Sequence, residues 1–356
     1  MKHAGTETPA QYDAALFERL REQFARGNLK RALRTDLRYA TPADLAQGST
    51  TQHVEAGWDL IAQGGVGAAI LAGGLATRFG GEAKAAVDLV PGWPLLRIKL
   101  EALESIAARR ETTLPVIVIV SFATENAVRR IIDEHAFRHL AITLVRQTVL
   151  PRIDPEGRLV RETDGGLSFN PPGHGEVLHL LAAHGFKAET APIYWQISNI
   201  DNLLAILDPG IVGAHAASGA HATVEAAPGT SADVGGYLAI APRGFEIIEG
   251  FQVEAAERPK GAFFLSTNTF IVGRSTAQMA DKLPYHAVSK TMPDDRNIIQ
   301  FEQLLGDIGS IAGLNAIAVP RGGVDSRFTP IKRLEDLDDS RAGLVEALTA
   351  TGLIRW

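Results

Sequence analysis

The chain contains no cysteine. This excludes disulfides, thiolate metal sites and cysteine nucleophiles. No apolar run approaches the ~20 residues that span a bilayer, so no membrane helix is expected. The opening MKHAGTETPA is polar and does not read as a secretory signal. A cytoplasmic location is the expectation. Internal repeats and low-complexity tracts are missing too. Positive charge is not in excess: the formal net charge is −6. Neither nucleic acid nor a membrane is therefore an expected partner, and a site for anionic ligands must concentrate positive charge locally. Two common phosphate signatures are also lacking. There is no GxxxxGK[ST], and Ile70 stands where the third glycine of a GxGxxG starting at Gly65 is required.

What is present is a chain of 356 residues, 46% hydrophobic, enough for one large α/β domain with additions or for two domains. Its most informative stretch is Ala68–Lys84, AAILAGGLATRFGGEAK. Ala69, Ile70 and Leu71 read as the end of a buried strand. Gly73 and Gly74 break the chain, and Arg78, Gly80, Gly81 and Lys84 follow. Small residues at a strand end let backbone N–H groups approach a ligand, and such a turn can form an anion-binding concavity. Lys84 adds a point charge suited to phosphate. One reading lays a nucleoside triphosphate across this loop. The other is a glycine-rich connector with a solvated lysine.

Thr8-Pro9-Ala10-Gln11 has the signature of a helix start, with Tyr12, Leu16, Leu20 and Phe24 at helical spacing behind it. Thr41-Pro42-Ala43-Asp44 repeats that signature. Residues 1–55 are expected to be a helical lead-in. From Gly64 to Pro151 the pattern is strand, helix, strand. Pro94–Ala108 reads as a helix, Val116–Val120 (VIVIV) as a strand covered on both faces, Glu125–His135 as a helix and Ala141–Val145 as a strand. Ligands of open α/β sheets bind outside the carboxyl ends of strands, where both the glycine loop and Gln147 fall. The Gln147 amide suits a pyrimidine edge; its alternative is a surface glutamine. In Pro171-Pro172-Gly173-His174-Gly175 a rigid turn presets one histidine, either to donate to a ligand or to sit in solvent.

Ile193–Ile197 reads as a strand ending in Ser198-Asn199-Ile200-Asp201-Asn202. Asp201 suits Mg²⁺, or makes an Asx turn or caps a helix over Leu203–Leu207, or both. Thr223–Ala226, Gly236–Ala241 and Phe263–Val272 read as strands, the last carrying polar Ser266-Thr267-Asn268-Thr269. Residues 297–313 read as a helix. Lys332, beside Pro330 and Arg333, is either a second phosphate lysine or an exposed one.

Together these residues resemble the UTP–glucose-1-phosphate uridylyltransferase family, within the UDP-sugar pyrophosphorylases. Leu71–Thr77 (LAGGLAT) is similar to its L-x-G-G-L-G-T loop, and Pro171–Glu176 (PPGHGE) to its P-P-G-H-G-D. Asn199–Leu203 (NIDNL) resembles N-S-D-N-L, and Ala232–Gly236 (ADVGG) resembles A-D-V-K-G-G less one residue. Ser266–Thr269 (STNT) resembles N-T-N-N, Asn297–Glu302 (NIIQFE) resembles N-V-I-Q-L-E, and Val319–Lys332 follows V-P-R-x-R-F-x-P-V-K with a short insertion. The motifs keep their order from about residue 66 to 340. Departures are Ala83 for the proline before the loop lysine, and Ser266 and Thr269 for two asparagines.

The resemblance implies an α/β fold with a Rossmann-like mixed sheet and helices on both faces. It implies a catalytic domain over 56–340, between the lead-in and a short C-terminal tail over 341–356. It puts Leu71, Ala72, Gly73 and Gly74 on the nucleotide, Gln147 and Gly173 on the uracil side, and Lys84 and Lys332 on phosphates. Asp201 would hold Mg²⁺, and His174, Asn199 and Asn268 would face the sugar phosphate. The implied reaction joins UTP and glucose 1-phosphate. Alternatives are the same chemistry with another sugar or cyclitol 1-phosphate or with GTP, and a non-catalytic nucleotide-sugar-binding protein.

Overall fold

The run Leu114-Pro-Val-Ile-Val-Ile-Val120 forms one strand whose alternate side chains enter different cores. Val116, Val118 and Val120 face one apolar cluster, and Ile117 and Ile119 face another. Burial on both faces is the property of a parallel sheet covered by helices on each side. In a computed structural model, which describes residues 12–29, 38–76, 82–187, 191–242, 244–354 and 356, this strand lies in an 11-stranded mixed sheet.

In chain order the longer strands of that sheet are β1 (Val66–Leu71), β2 (Leu114–Val120), β3 (Leu140–Arg146), β4 (Tyr194–Asn199), β5 (Ala222–Pro228), β6 (Tyr237–Ala241), β7 (Gly244–Ile248), β8 (Phe264–Gly273) and β9 (Leu314–Ala318). Their spatial order is β6-β7-β9-β5-β8-β4-β1-β2-β3. The half β4-β1-β2-β3 is parallel throughout. On the other side of β4, strand β8 runs antiparallel to both β4 and β5. That half curls back on itself, because β6 also touches β8 at Tyr237 and Leu265.

Helices α1 (Ala14–Ala25), α2 (Thr51–Ala62), α3 (Leu95–Ala108), α4 (Glu125–Asp133), α5 (Pro209–Ser218) and α6 (Leu334–Ala350) complete the frame. Leu96, Leu100 and Leu103 of α3 and Leu344 and Leu348 of α6 share one core with β1 and β2. The second core takes Val177, Leu178 and Leu181 on the opposite face of the sheet. Removing those side chains from water contributes roughly 1.5–3 kcal/mol each.

The sequence expectations hold for the strands ending at Leu71 and Val120 and for the helices after Pro94 and Thr124, but fail at three places. The expected start at Thr8 lies outside the described residues, and α1 is capped by Asp13, whose carboxylate accepts from Leu16 N. Thr41 starts no helix. Asp44 accepts from Thr41 N and Oγ1 and from Arg38, which closes a turn. Arg38–Tyr39 and Ala46–Gln47 then add short strands to the sheet, so the lead-in is not purely helical.

Leu203–Leu207 is no helix. All five side chains are buried, and the helix starts only at Pro209, with Asp208 as its cap. A proline disfavours helix in the residue before it and suits a first helical position. Asn297–Gln303 is a strand paired with Tyr285–Thr291, not a helix. Its side chains alternate: Ile299 and Phe301 pack on Phe17 and Leu20 of α1, while Gln300 and Glu302 face a cavity. Most of α6 lies within residues 341–356, and Leu353 and Ile354 are buried behind it.

Candidate active site

The carboxyl ends of the four parallel strands meet at one cavity of about 480 Å³. Leu71, Gly73 and Gly74 follow from β1, Ser121 and Phe122 from β2, Gln147 from β3, and Asn199 and Asp201 from β4. Strand ends are where such sheets bind ligands, because the connecting loops diverge there. A second cavity of about 290 Å³ opens beside it, lined by Gly235, Ser266, Asn268 and Lys332. The two share His174, Asn199 and Asp201.

In the first cavity Gln147 is held by its amide nitrogen. Nε2 donates to Gly173 O and to Glu176 Oε2, both at 3.2 Å. Glu176 Oε1 accepts from Thr148 N at 2.8 Å. Burial raises the Glu176 carboxyl above its usual range against these hydrogen bonds. The Gln147 carbonyl is thereby turned toward Gly73, where a Cβ would stand 2.4 Å from Oε1. A side chain at 73 would displace the Gln147 amide from this position. Gly173 is left-handed, with φ of 88°, and a Cβ on it would meet Gln303 O at 2.5 Å. The Pro-Pro-Gly-His-Gly turn is thus docked on the strand that begins at Asn297, and Gln303 N donates to Pro172 O.

His174 Nδ1 accepts from Leu305 N at 3.1 Å. A backbone N–H only donates, so the ring proton sits on Nε2. Burial lowers the His174 pKa, which keeps the imidazole neutral. Asn268 is in the left-handed region, with φ of 56°, beside a bulge opposite Val224 and Ala226. Asparagine tolerates this conformation better than most residues. Its Nδ2 donates to Asn199 Oδ1 at 3.0 Å.

Lys84 Nζ lies 2.7 Å from Asp201 Oδ2, and both side chains are about one-fifth exposed (20% and 18%). Lys332 lines the second cavity and is exposed. Among the described residues its ammonium has no hydrogen-bond partner. Ala72 is the exception among the expected contacts. It is fully buried, its N–H donates to Ile119 O, and it packs beneath the loop instead of lining a cavity. Thr269 is likewise buried and lines neither cavity. Thr77, Arg78, Gly80 and Gly81 of the glycine loop lie outside the described residues.

Three supports escaped the sequence reading. Asn202 clamps the Arg327–Thr329 backbone, donating to Arg327 O and accepting from Thr329 N. Arg327 forms a two-point pair with buried Glu225 at 2.7 and 2.6 Å. Lys99, on α3, is 4% exposed and donates to Ser198 Oγ and Ala205 O. Burial pushes its pKa down to about 7. A lysine on the apolar face of a helix was the available signal for the last.

A family model described as UTP–glucose-1-phosphate uridylyltransferase matches residues 63–347. The chain belongs to that family. A curated UTP–glucose-1-phosphate uridylyltransferase of Encephalitozoon cuniculi is 28% identical over 283 residues, which are 75% of this chain and 56% of that protein. The chain thus spans about half the length of this family relative. Among solved structures, a uridine diphosphate N-acetylglucosamine pyrophosphorylase from Trypanosoma brucei in complex with inhibitor aligns with a TM-score of 0.75 at 20% identity. It covers 92% of this chain and 75% of that one. A UDP-glucose phosphorylase of the same organism aligns with a TM-score of 0.73 at 21% identity, with the same coverage. These likenesses show a shared mixed α/β fold. Among the described residues no helix is long and apolar enough to cross a membrane.

Proposed function

We propose that the protein transfers a uridylyl group from UTP to glucose 1-phosphate and releases pyrophosphate. One observation carries this reading: a cavity at four parallel strand ends opens onto a smaller polar one, and the shared wall holds Asp201, with Lys84 and Lys332 on either side. The parallel half would serve as a Rossmann-like nucleotide sheet, with the uracil at Gln147 and Gly173 and the phosphates at Lys84. The sugar phosphate would take the second cavity, with His174 Nε2–H, Asn199 and Asn268 as polar partners. A cytoplasmic setting belongs to the same proposal, as does a catalytic domain over 56–340.

A phosphate oxygen of the sugar would attack the α-phosphorus in line. The bond to the bridging oxygen of the β-phosphate breaks, and pyrophosphate leaves with the electron pair. The nucleophile is already an anion, so no general base is needed. The obstacle is repulsion: two unit charges at about 4 Å repel by about 4 kcal/mol at an effective dielectric near 20. Catalysis then rests on positioning and on charge neutralisation by Lys84 and Lys332. Without substrates, Lys84 and Asp201 neutralise each other. An incoming triphosphate would draw Lys84 away and free the Asp201 carboxylate.

Asp201 already accepts a cation at Oδ2, and among the described residues no cluster of three His, Cys, Asp or Glu is placed to hold a metal. That donor set fits a Mg²⁺ that arrives with the nucleotide, held by one carboxylate, phosphates and water, and does not fit a resident ion. Bound at Asp201, Mg²⁺ would supply further neutralisation of phosphate charge.

A second reading keeps the chemistry and changes the sugar or cyclitol phosphate. Ser266 in the second cavity favours it: its Oγ accepts from Asn268 N and so shapes the wall beside the sugar. The test is pyrophosphate release with Mg²⁺, crossing UTP, GTP, ATP and dTTP with glucose 1-phosphate, N-acetylglucosamine 1-phosphate and a cyclitol phosphate. Turnover is expected to be highest with UTP and glucose 1-phosphate. Turnover confined to another pair moves the substrate, and silence across the panel with UTP still bound would leave a non-catalytic binding protein.

A further inference from the structure

Lys99 has no part in the reaction described above, yet it is buried beneath the loop that carries Asp201. A buried lysine is costly unless its polar head is used. Here it is used twice, on Ser198 Oγ at 3.0 Å and on Ala205 O at 3.2 Å. Those two acceptors stand on opposite sides of the segment that holds Asn199, Asp201 and Asn202. The lysine thus ties together the two ends of the loop. The tie holds in either protonation state, because an amine and an ammonium both donate.

The helix that carries Lys99 is anchored on the other partner of the site. Val87 N donates to Lys84 O, and Leu95 N, at the start of α3, donates to Val87 O. About one turn further on, Lys99 reaches the Asp201 loop. Helix α3 therefore acts as a spacer between Lys84 and Asp201. The outer side of the loop is held separately, by Ile331 N on Asp201 O and by Asn202 on the Arg327–Thr329 backbone. Among the described residues, Lys99 is the one α3 side chain that hydrogen-bonds to the segment from Ser198 to Ala205.

We propose that Lys99 is a positioning residue that fixes the Asp201 loop at a set distance from Lys84, so that a metal-bound nucleotide meets the carboxylate already in place. The proposal rests on the reading of Asp201 given above. Lys99 acts one step further out than partners that hydrogen-bond a metal ligand directly, whose loss costs about 10- to 100-fold in metal affinity or activity, so the lower end of that range is expected.

The test uses Mn²⁺ as the probe and follows free Mn²⁺ by electron paramagnetic resonance, with UTP present. Lys99→Met keeps the side-chain length and removes both donors. Mn²⁺ affinity is expected to fall about 10-fold, with UTP affinity in the absence of metal unchanged and kcat reduced more than KM. Ser198→Ala removes one of the two bonds and is expected to weaken Mn²⁺ roughly 5-fold, the scale of one hydrogen bond. It decides the matter alone if Lys99→Met does not fold. Wild-type Mn²⁺ affinity in the variants overturns the proposal, as does tighter binding in Lys99→Met, which would mean that the lysine only repels the metal. If the unaltered protein binds UTP but no Mn²⁺, the reading of Asp201 fails and this proposal fails with it.

Discussion

The Gln147 amide nitrogen is held by Gly173 O and by one carboxylate. Glu176 receives that nitrogen and the Thr148 N–H, one on each oxygen. A glutamine at 176 has one acceptor for two donors, so its own NH₂ would confront one of them. The Gln147 amide would then turn, and its carbonyl would leave the side of Gly73. Glu176→Gln is expected to weaken UTP binding about 10-fold, or about 1.4 kcal/mol, measured by calorimetric titration. Unchanged affinity would mean that Glu176 does not orient the amide. At this scale much was legible. Gly73, Gly74, His174 and Asp201 stand in short motifs, and Lys84 and Gln147 follow a glycine loop and a strand end, so their candidacy is visible in the chain. Glu176 carries no such local signal, because its work is on Gln147, which is 29 positions away.

The strands and helices around the site divide by how local their causes are. Val116–Val120 and Leu95–Ala108 were readable because burial on both faces and a helical period are written in neighbouring residues. Asn297–Gln303 was not, because its alternation of Ile299 and Phe301 with Gln300 and Glu302 has meaning only once α1 lies on one side and the cavity on the other. Leu203–Leu207 is apolar at every position, so it carries no period at all. The segment from Pro320 to Lys332 shows the same dependence on distant partners. It is held by Arg327 on Glu225 and on Ile206 O, and by Asn202. Arg327→Met would leave Glu225, 2% exposed, without its cation. A loss of about 3–5 kcal/mol is expected, measured by urea unfolding. Adding Glu225→Met should restore most of it. A loss below about 1 kcal/mol in the single variant would show that the pair is not a support.

Across the whole molecule, the sheet changes character at β4. On one side four parallel strands send their carboxyl ends to the larger cavity, and on the other the antiparallel strand β8 brings Ser266 and Asn268 to the smaller one. Asn199 and Asp201 sit where the two halves join. The motifs and strand ends single out candidate residues that, Ala72 apart, line one or both cavities. They did not foretell that Ala72 would lie under the loop, or that Lys84 would be paired with Asp201. Those outcomes are set by contacts over more than 40 positions, between β1 and β2 and between the glycine loop and β4.

In the proposed reaction Lys332 is the cation that the far half of the molecule contributes to the shared wall. It is exposed, lines the second cavity and supports no packing. The deciding measurement is therefore the steady-state turnover of Lys332→Ala with UTP, Mg²⁺ and glucose 1-phosphate, beside its melting temperature and UTP affinity. The expected result is a kcat lowered about 100-fold, or about 2.7 kcal/mol, with folding and UTP binding as in the unaltered protein. Near-normal turnover would contradict it and remove Lys332 from the mechanism.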